Sequence, residues 1–253
     1  MHKRVLGKTE INLSPLGLGT VKFGRNEGVK YPQNFEIPDE KQLSALLSLA
    51  KNLGINTLDT APAYGSSEER LGRLLKGERH DWVIIGKAGE EFINGQSHYD
   101  FTPEHIKQSL ERSLKRLNTD YIDIFLIHSD GNDLNNLSDD LIKTMHDFKS
   151  RGLVRAIGAS TKTVEGGIRS LETMDTVMAT YNPEYLDEKP VLDYAAQIGK
   201  SVLLKKVLSS GHNSNTKEAF RFCFNHPAVT SAIVGTINPE HLKENVKALR
   251  FII

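Results

Sequence analysis

Eight short apolar runs punctuate this chain: "SPLGLGT", "INTLDT", "WVIIGK", "YIDIFLIH", "LVRAIGAS", "TVMATY", "SVLLKK" and "SAIVGT". Nearly continuous runs of this length predict strands buried on both faces, as in a parallel sheet. Helical patterns separate them. Leu43, Leu46, Leu47 and Ala50 follow the i, i+3, i+4, i+7 spacing, and Ile106, Leu110, Ser113, Leu114 and Leu117 form a second such face. Thr102 before Pro103 reads as an N-cap with proline in the first helical turn. Asn238 before Pro239 repeats that signal, ahead of the stripe Leu242, Val246 and Leu249. Further helices are predicted over 66–76, 138–151, 162–172, 188–199 and 216–226. The residues before Leu16 predict a small hairpin around "LGKT".

Strand and helix alternating eight times predict an α/β chain folded as a (β/α)8 TIM barrel, with an N-terminal β-hairpin and a shortened C-terminus. The 253 residues suit one such domain spanning 1–253. The competing arrangement is a doubly wound open sheet, whose dinucleotide-binding form carries G-x-G-x-x-G after its first strand. Here "GLGTVKFG" has glycines at 17 and 19 and then Lys22, so that fingerprint fails.

Lysine plus arginine equals aspartate plus glutamate at 32 each, so no net charge draws the chain to nucleic acid or to an anionic membrane. The single cysteine, Cys223, permits no internal disulfide and favours a reducing compartment. "HKRVLGKTEINL" after Met1 lacks an apolar signal core, and no run reaches the 18 apolar residues of a membrane span. A soluble cytoplasmic protein is expected, with neither nucleic-acid nor membrane partners.

Active sites of such barrels lie at the C-terminal ends of the strands. The second run ends in Asp59, with Tyr64 in the loop that follows; the third ends in Lys87 and the fourth in His128. Singly, each has an ordinary reading: a turn cap, a packed lid, a solvated strand end, a satisfied polar residue. As a set they place an acid, a phenol, an amine and an imidazole on one rim, where buried charges need partners. Asp59 and Lys87 on adjacent strands would pair. A nearby ammonium favours phenolate, so Tyr64 is expected to titrate below the usual value near 10 and to donate a proton near neutrality. No G-x-S-x-G nucleophile, H-E-x-x-H or cysteine pair is present, so no metal is expected. A general acid without nucleophile or metal suits protonation of a carbonyl oxygen, and reduction then requires a hydride-carrying cofactor.

With these residues in place, the sequence resembles the aldo-keto reductases. "LDTAPAYG" is similar to their aspartate–tyrosine stretch, "VIIGK" to their lysine strand and "DIFLIH" to their histidine strand. "IGAS" and "IVGTINPEHLKENV" extend the likeness over nearly the whole chain. The resemblance implies a barrel that binds NADPH, or NADH, and reduces a small-molecule aldehyde or ketone. It implies that Tyr64 donates the proton, that Lys87 and Asp59 tune it, and that His128 orients the carbonyl. A monomer or weak oligomer is expected.

The same resemblance assigns cofactor contacts. Gly19, Thr20 and Val21 match the segment beside the nicotinamide, Ser160 a carboxamide-binding serine, and Asn245 an adenine-contacting asparagine. Gly235 and Thr236 lead to a helix start capped by Asn238, a place that favours phosphate; His241 stands where the family commonly has arginine. Further departures are Thr161 in place of an asparagine, Met178 in place of a glutamine, and "LKKVLSSG" in place of an aromatic or Ser-Pro-Leu stretch. Lys205 and Lys206 in that stretch either reach the pyrophosphate or are solvated. The departures motivate an alternative, a catalytically weak cofactor-binding regulator or sensor on the same barrel. An unrelated barrel lyase or isomerase would have no need of "VGTINPEHLKEN". The end of the chain soon after the last helix predicts an open pocket shaped by "KYPQNFEI", "EEFINGQSHYDF" and "SDGNDLNN", in which Phe92, His98, Tyr99 and Phe101 are candidate walls.

Overall fold

The computed structural model describes residues 1–29, 31, 34–211, 215–250 and 252. Of "KYPQNFEI", Lys30, Pro32 and Gln33 lie outside the described residues. A short antiparallel pair, β1 (Arg4–Val5) and β2 (Asn12–Leu13), precedes the repeat. Then come β3 (Leu16–Gly19), α1 (Val21–Gly24), α2 (Glu40–Asn52), β4 (Thr57–Asp59), α3 (Ser67–Leu74) and β5 (Val83–Ala88). The hairpin β6 (Glu90–Ile93) and β7 (Gln96–Tyr99) leads to α4 (Pro103–Leu117), β8 (Ile122–His128), α5 (Asp133–Asn136), α6 (Asp139–Ser150) and β9 (Val154–Ser160). The last third holds α7 (Val164–Thr173), β10 (Thr176–Thr180), α8 (Lys189–Gln197), β11 (Ser201–Lys205), α9 (Thr216–Phe224), β12 (Val229–Val234) and α10 (Pro239–Arg250).

All eight apolar runs become strands of one closed parallel barrel, in the order β10-β11-β12-β3-β4-β5-β8-β9. This is the (β/α)8 architecture. Side chains alternate across each strand, so each run serves two cores. One face packs Leu18, Leu58, Ile84, Phe125, Ile157, Val177, Leu204 and Val234 into the layer that meets the helices. The other packs Ile85, Ile124, Leu126, Ala156, Met178, Leu203 and Ile233 inside the barrel, where Leu6, Ile11 and Leu13 join them. Arg4 Nη1 donates to the carbonyl of Val229 and the Ser14 amide to Asn56 Oδ1. The N-terminal pair therefore seals the end at which the strands begin. The opposite end is left for polar residues.

Two regions expected as loops are ordered otherwise. "EEFINGQSHYDF" is the hairpin β6–β7, turned by Asn94 (φ 51°) and Gly95 (φ 79°), the asparagine–glycine pair that a tight hairpin favours. "SDGNDLNN" contains the single turn α5. Of the candidate pocket walls, Phe92 stacks on the Arg25 guanidinium (3.7 Å), Tyr99 stacks on Phe101, and His98 is exposed.

Candidate active site

The alternation that builds the inner core also delivers the site. Lys87 lies two residues beyond Ile85, His128 two beyond Leu126, Lys205 two beyond Leu203 and Ser160 four beyond Ala156, so all continue the inward face. Leu58 faces the helices, which turns Asp59 inward. Lateral register completes the arrangement: Asp59 is paired with Gly19 and Ile85, and Ser160 with His128 and Met178.

Tyr64 ends a single 3-10 turn, Pro62–Tyr64, between β4 and α3. Gly65 follows at φ 61°, and its Cα lies so close to the carbonyl of Gly24 that a side chain has no room. Beneath this turn, Thr20 Oγ1 donates to the carbonyl of Asp59 (2.9 Å), Ser67 Oγ donates to Thr20 Oγ1 (2.7 Å), and Thr60 Oγ1 is 3.1 Å from Ser67 Oγ. The loop quoted as "LDTAPAYG" is thus clamped from below by hydroxyls.

Lys87 Nζ donates to Asp59 Oδ1 (2.5 Å), to the carbonyl of Thr60 (3.1 Å) and to Tyr64 Oη (3.1 Å). The lysine is 1% and the aspartate 4% exposed. The Tyr64 ring stands edge-on to His128, with centroids 6.2 Å apart. All four residues read from the sequence therefore meet at one place. Their electrostatics differ from expectation. Burial pushes the Tyr64 phenol well above its usual value; the charges of Asp59 and Glu90 push the same way, and Arg25 opposes them. The expected lowering fails chiefly because the phenol is buried, and the charges of Asp59 and Glu90 add to that effect.

The sequence reading missed Glu90, at the start of β6. Its Oε2 lies 2.9 Å from His128 Nδ1, close but without hydrogen-bond alignment, and its Oε1 accepts from Ser97 Oγ (2.6 Å). Burial opposes the Glu90 charge, yet His128, Ser97 and Arg25 together hold its carboxyl down to about 2. Burial pushes His128 below its usual value; Glu90 pulls it up, while Lys87 and Lys205 push it down. The asparagine–glycine turn was the signal that would have found the hairpin carrying Glu90.

On the other side of the rim the two adjacent lysines part. Lys205 Nζ turns inward and donates to Ser160 Oγ (3.0 Å) and the carbonyl of Thr161 (2.5 Å). Burial, with Lys206 and Lys162 adding to it, lowers Lys205 to about 8, against the pull of Glu188 and Asp133. Lys206 is exposed, at φ 56°, beside a surface pocket lined also by Lys162, Asn182 and Glu184. Met178 is buried in the inner apolar core. Gly19 and Thr20 are fully buried, and Val21 begins α1. Gly235 approaches Gly19 closely, and Tyr31 Oη occupies the space a side chain at 235 would need.

Asn238 caps α10 as expected: its Oδ1 accepts from the amides of Glu240 (2.8 Å) and His241 (3.4 Å), and Thr236 Oγ1 accepts from the amide of Asn238 (3.1 Å). The cap takes up these N–H groups, so the helix offers an anion its field rather than those amides. His241 is exposed and Asn245 buried.

A dinucleotide needs cations, hydroxyls and close-approaching backbone. The rim supplies the Lys205 ammonium, the Ser160 hydroxyl, the buried Thr161 Oγ1 with no partner among the described residues, and two facing glycines. This donor set fits the group. Among the described residues no three His, Cys, Asp or Glu side chains gather as for a metal ion, and no helix is long and apolar enough to cross a membrane.

The sequence model of the Aldo/keto reductase family matches residues 15–218. A crystal structure of an aldo-keto reductase from Pseudomonas aeruginosa is 50% identical, with a TM-score of 0.92; the match covers 99% of this chain and 95% of that one. The curated oxidoreductase YqkF of Bacillus subtilis is 27% identical over 98% of this chain and 91% of its own length. The NADH-specific methylglyoxal reductase of Escherichia coli is 29% identical over 72% of this chain and 59% of that protein.

Proposed function

Because the chain belongs to the aldo/keto reductase family and is thereby an NAD(P)H-dependent oxidoreductase, we propose that it reduces the carbonyl of a small aldehyde or ketone, with Tyr64 as the proton donor. The observation that carries this reading is Lys87 Nζ set between Asp59 Oδ1 and Tyr64 Oη on the inner face of the barrel. NADPH or NADH supplies the hydride when bound. Ser160, Lys205 and the glycines at 19 and 235 hold it, with Thr20 and Val21 beside β3. Thr236, Asn238, His241 and Asn245 would contact its adenosine portion, with Lys206 on the outer rim.

The raised phenol defines what Tyr64 does. It keeps its proton against a neutral carbonyl and gives it up only as the oxygen takes on alkoxide charge, a stronger base than phenolate. Lys87 then stabilises the phenolate at 3.1 Å, and Asp59 keeps the ammonium in place. His128 completes the rim by hydrogen bonding the same substrate oxygen.

Titration of the protein with NADPH and with NADH, followed by nicotinamide fluorescence, tests the cofactor site; the absence of any change with both removes it. A panel of aldehydes, ketones and sugars then defines the substrate, with methylglyoxal first because a relative reduces it. Tyr64→Phe lowers turnover by about 10²-fold or more, the scale of general acid catalysis, while nucleotide binding persists. Unchanged turnover would sink the role of Tyr64.

A further inference from the structure

His128 is held by a carboxylate that no strand of the barrel supplies. Glu90 reaches it from the hairpin, and the hairpin is fixed in three ways. The Asp100 amide donates to the carbonyl of Gly89 at its neck (3.0 Å). Phe101 covers Gly89, which sits at φ 109°. Arg25 stacks on Phe92 and donates from Nη1 to the carbonyl of Ala63 (2.7 Å), tying the hairpin to the turn that carries Tyr64. Ser97 Oγ occupies the other Glu90 oxygen.

A neutral imidazole has one donor nitrogen and one acceptor nitrogen. A carboxylate charge 2.9 Å from Nδ1 favours a proton there, although the pair is not aligned as a hydrogen bond. In the neutral ring Nε2 is then a bare acceptor, which repels a carbonyl oxygen and suits an alcohol hydroxyl. Only the imidazolium presents N–H on both sides. We propose that Glu90 is a positioning residue acting through His128: its carboxylate keeps one proton on Nδ1 and favours a second on Nε2, which then donates to the substrate carbonyl. This rests on the reading that His128 faces the substrate oxygen. His128 keeps both protons during the reaction, and the proton that completes the alcohol is the one from Tyr64.

The groups facing His128 set the balance. Burial weighs most and opposes the imidazolium, Glu90 favours it, and Lys87, already paired with Asp59, and Lys205 on β11 oppose it; Tyr64 is neutral at its edge. Tyr99, paired with Glu90 across the hairpin, and Arg25 act on Glu90 itself. Carbonyl reduction therefore declines as pH rises through the His128 titration, and Glu90 decides where that decline falls.

The test is ¹⁵N-histidine NMR of the whole protein together with the pH profile of kcat/KM. The His128 signal is identified by its loss in His128→Gln. In Glu90→Gln its midpoint falls by about 1 pH unit or more, the effect of removing an opposite charge at this range. The alkaline limb of kcat/KM for reduction falls with it. Glu90→Asp restores the midpoint part of the way. Ser97→Ala, which loosens Glu90 without removing its charge, produces the same shift at smaller size and serves if Glu90→Gln folds poorly. A role in shape alone lowers activity equally at every pH and leaves the midpoint where it was; that result overturns the proposal. A moved midpoint with an unmoved kinetic limb also overturns it, and places the fault in the contact between His128 and substrate rather than in the Glu90 pair.

Discussion

Lys87 and Lys205 both end barrel strands and both turn inward, yet they live in different electrostatic surroundings. Lys87 meets a carboxylate at 2.5 Å and has its charge answered. Lys205 meets a hydroxyl and a carbonyl, with Glu188 close enough only to act through its field, and its amine is lowered to about 8. The first arrangement is complete without a ligand. The second holds a half-buried cation bonded only to neutral oxygens. One side of the rim, over β4 and β5, therefore pairs its cation with a carboxylate, and the other, over β9 and β11, bonds its cation only to neutral oxygens.

The largest test of this contrast is stability. Lys87→Met leaves Asp59 buried and unpaired, and denaturant unfolding should show a loss of about 3–5 kcal/mol. Adding Asp59→Asn recovers most of it. Lys205→Met costs little or raises stability, because burial already disfavours its charge and no carboxylate bonds it directly. Equal costs at the two lysines would erase the distinction.

The next effect is on binding. The ammonium of Lys205 is present below pH 8 and lost above it, so affinity for NADPH or NADH falls about tenfold between pH 7 and 9. In Lys205→Met the fluorescence titrations are weaker at pH 7 and nearly flat over that range. A wild-type slope retained in the variant would assign it to another group.

A further effect has the opposite sign. The folded value of about 8 lies below the ordinary 10.5, so between them the unfolded chain binds the extra proton. The Lys205 contribution to ligand-free stability therefore rises with pH across that window. Subtracting the Lys205→Met curve from the wild type isolates it, and a difference that falls with pH would contradict the assignment. Smallest is Asn238→Ala, which removes the cap of α10 and lowers stability by about 1 kcal/mol. It also frees the amides of Glu240 and His241 for a phosphate, so affinity for the nucleotide should hold or rise despite the lost stability.

The strands were legible because a residue buried on either face of the barrel must be apolar, and runs such as "DIFLIH" say so directly. The capped helix starts at Thr102 and Asn238 were legible because a cap is local chemistry. Asp59, Tyr64, Lys87 and His128 stood out as polar residues closing apolar runs. The phenol of Tyr64 was misjudged because its proton depends on its burial and on the nearby charges of Asp59 and Glu90, and spacing along the chain carries none of these. Glu90 was passed over because a glutamate in a polar hairpin looks like any solvated one. The pair at 205 and 206 was ambiguous because one of them is inside and the other outside, a matter of how β11 ends.

The sequence by itself determined the order of strands and helices, the two-faced apolar runs and the polar residues that finish them. Those properties are local, set by alternation, capping and turn chemistry within a few residues. Only the tertiary structure decided who faces whom: Lys87 with Asp59, Lys205 with Ser160, and Glu90 with His128. These partners lie 28 to 45 residues apart, and strand register, barrel closure and, for Glu90, the packing of the β6–β7 hairpin bring them within a few ångströms.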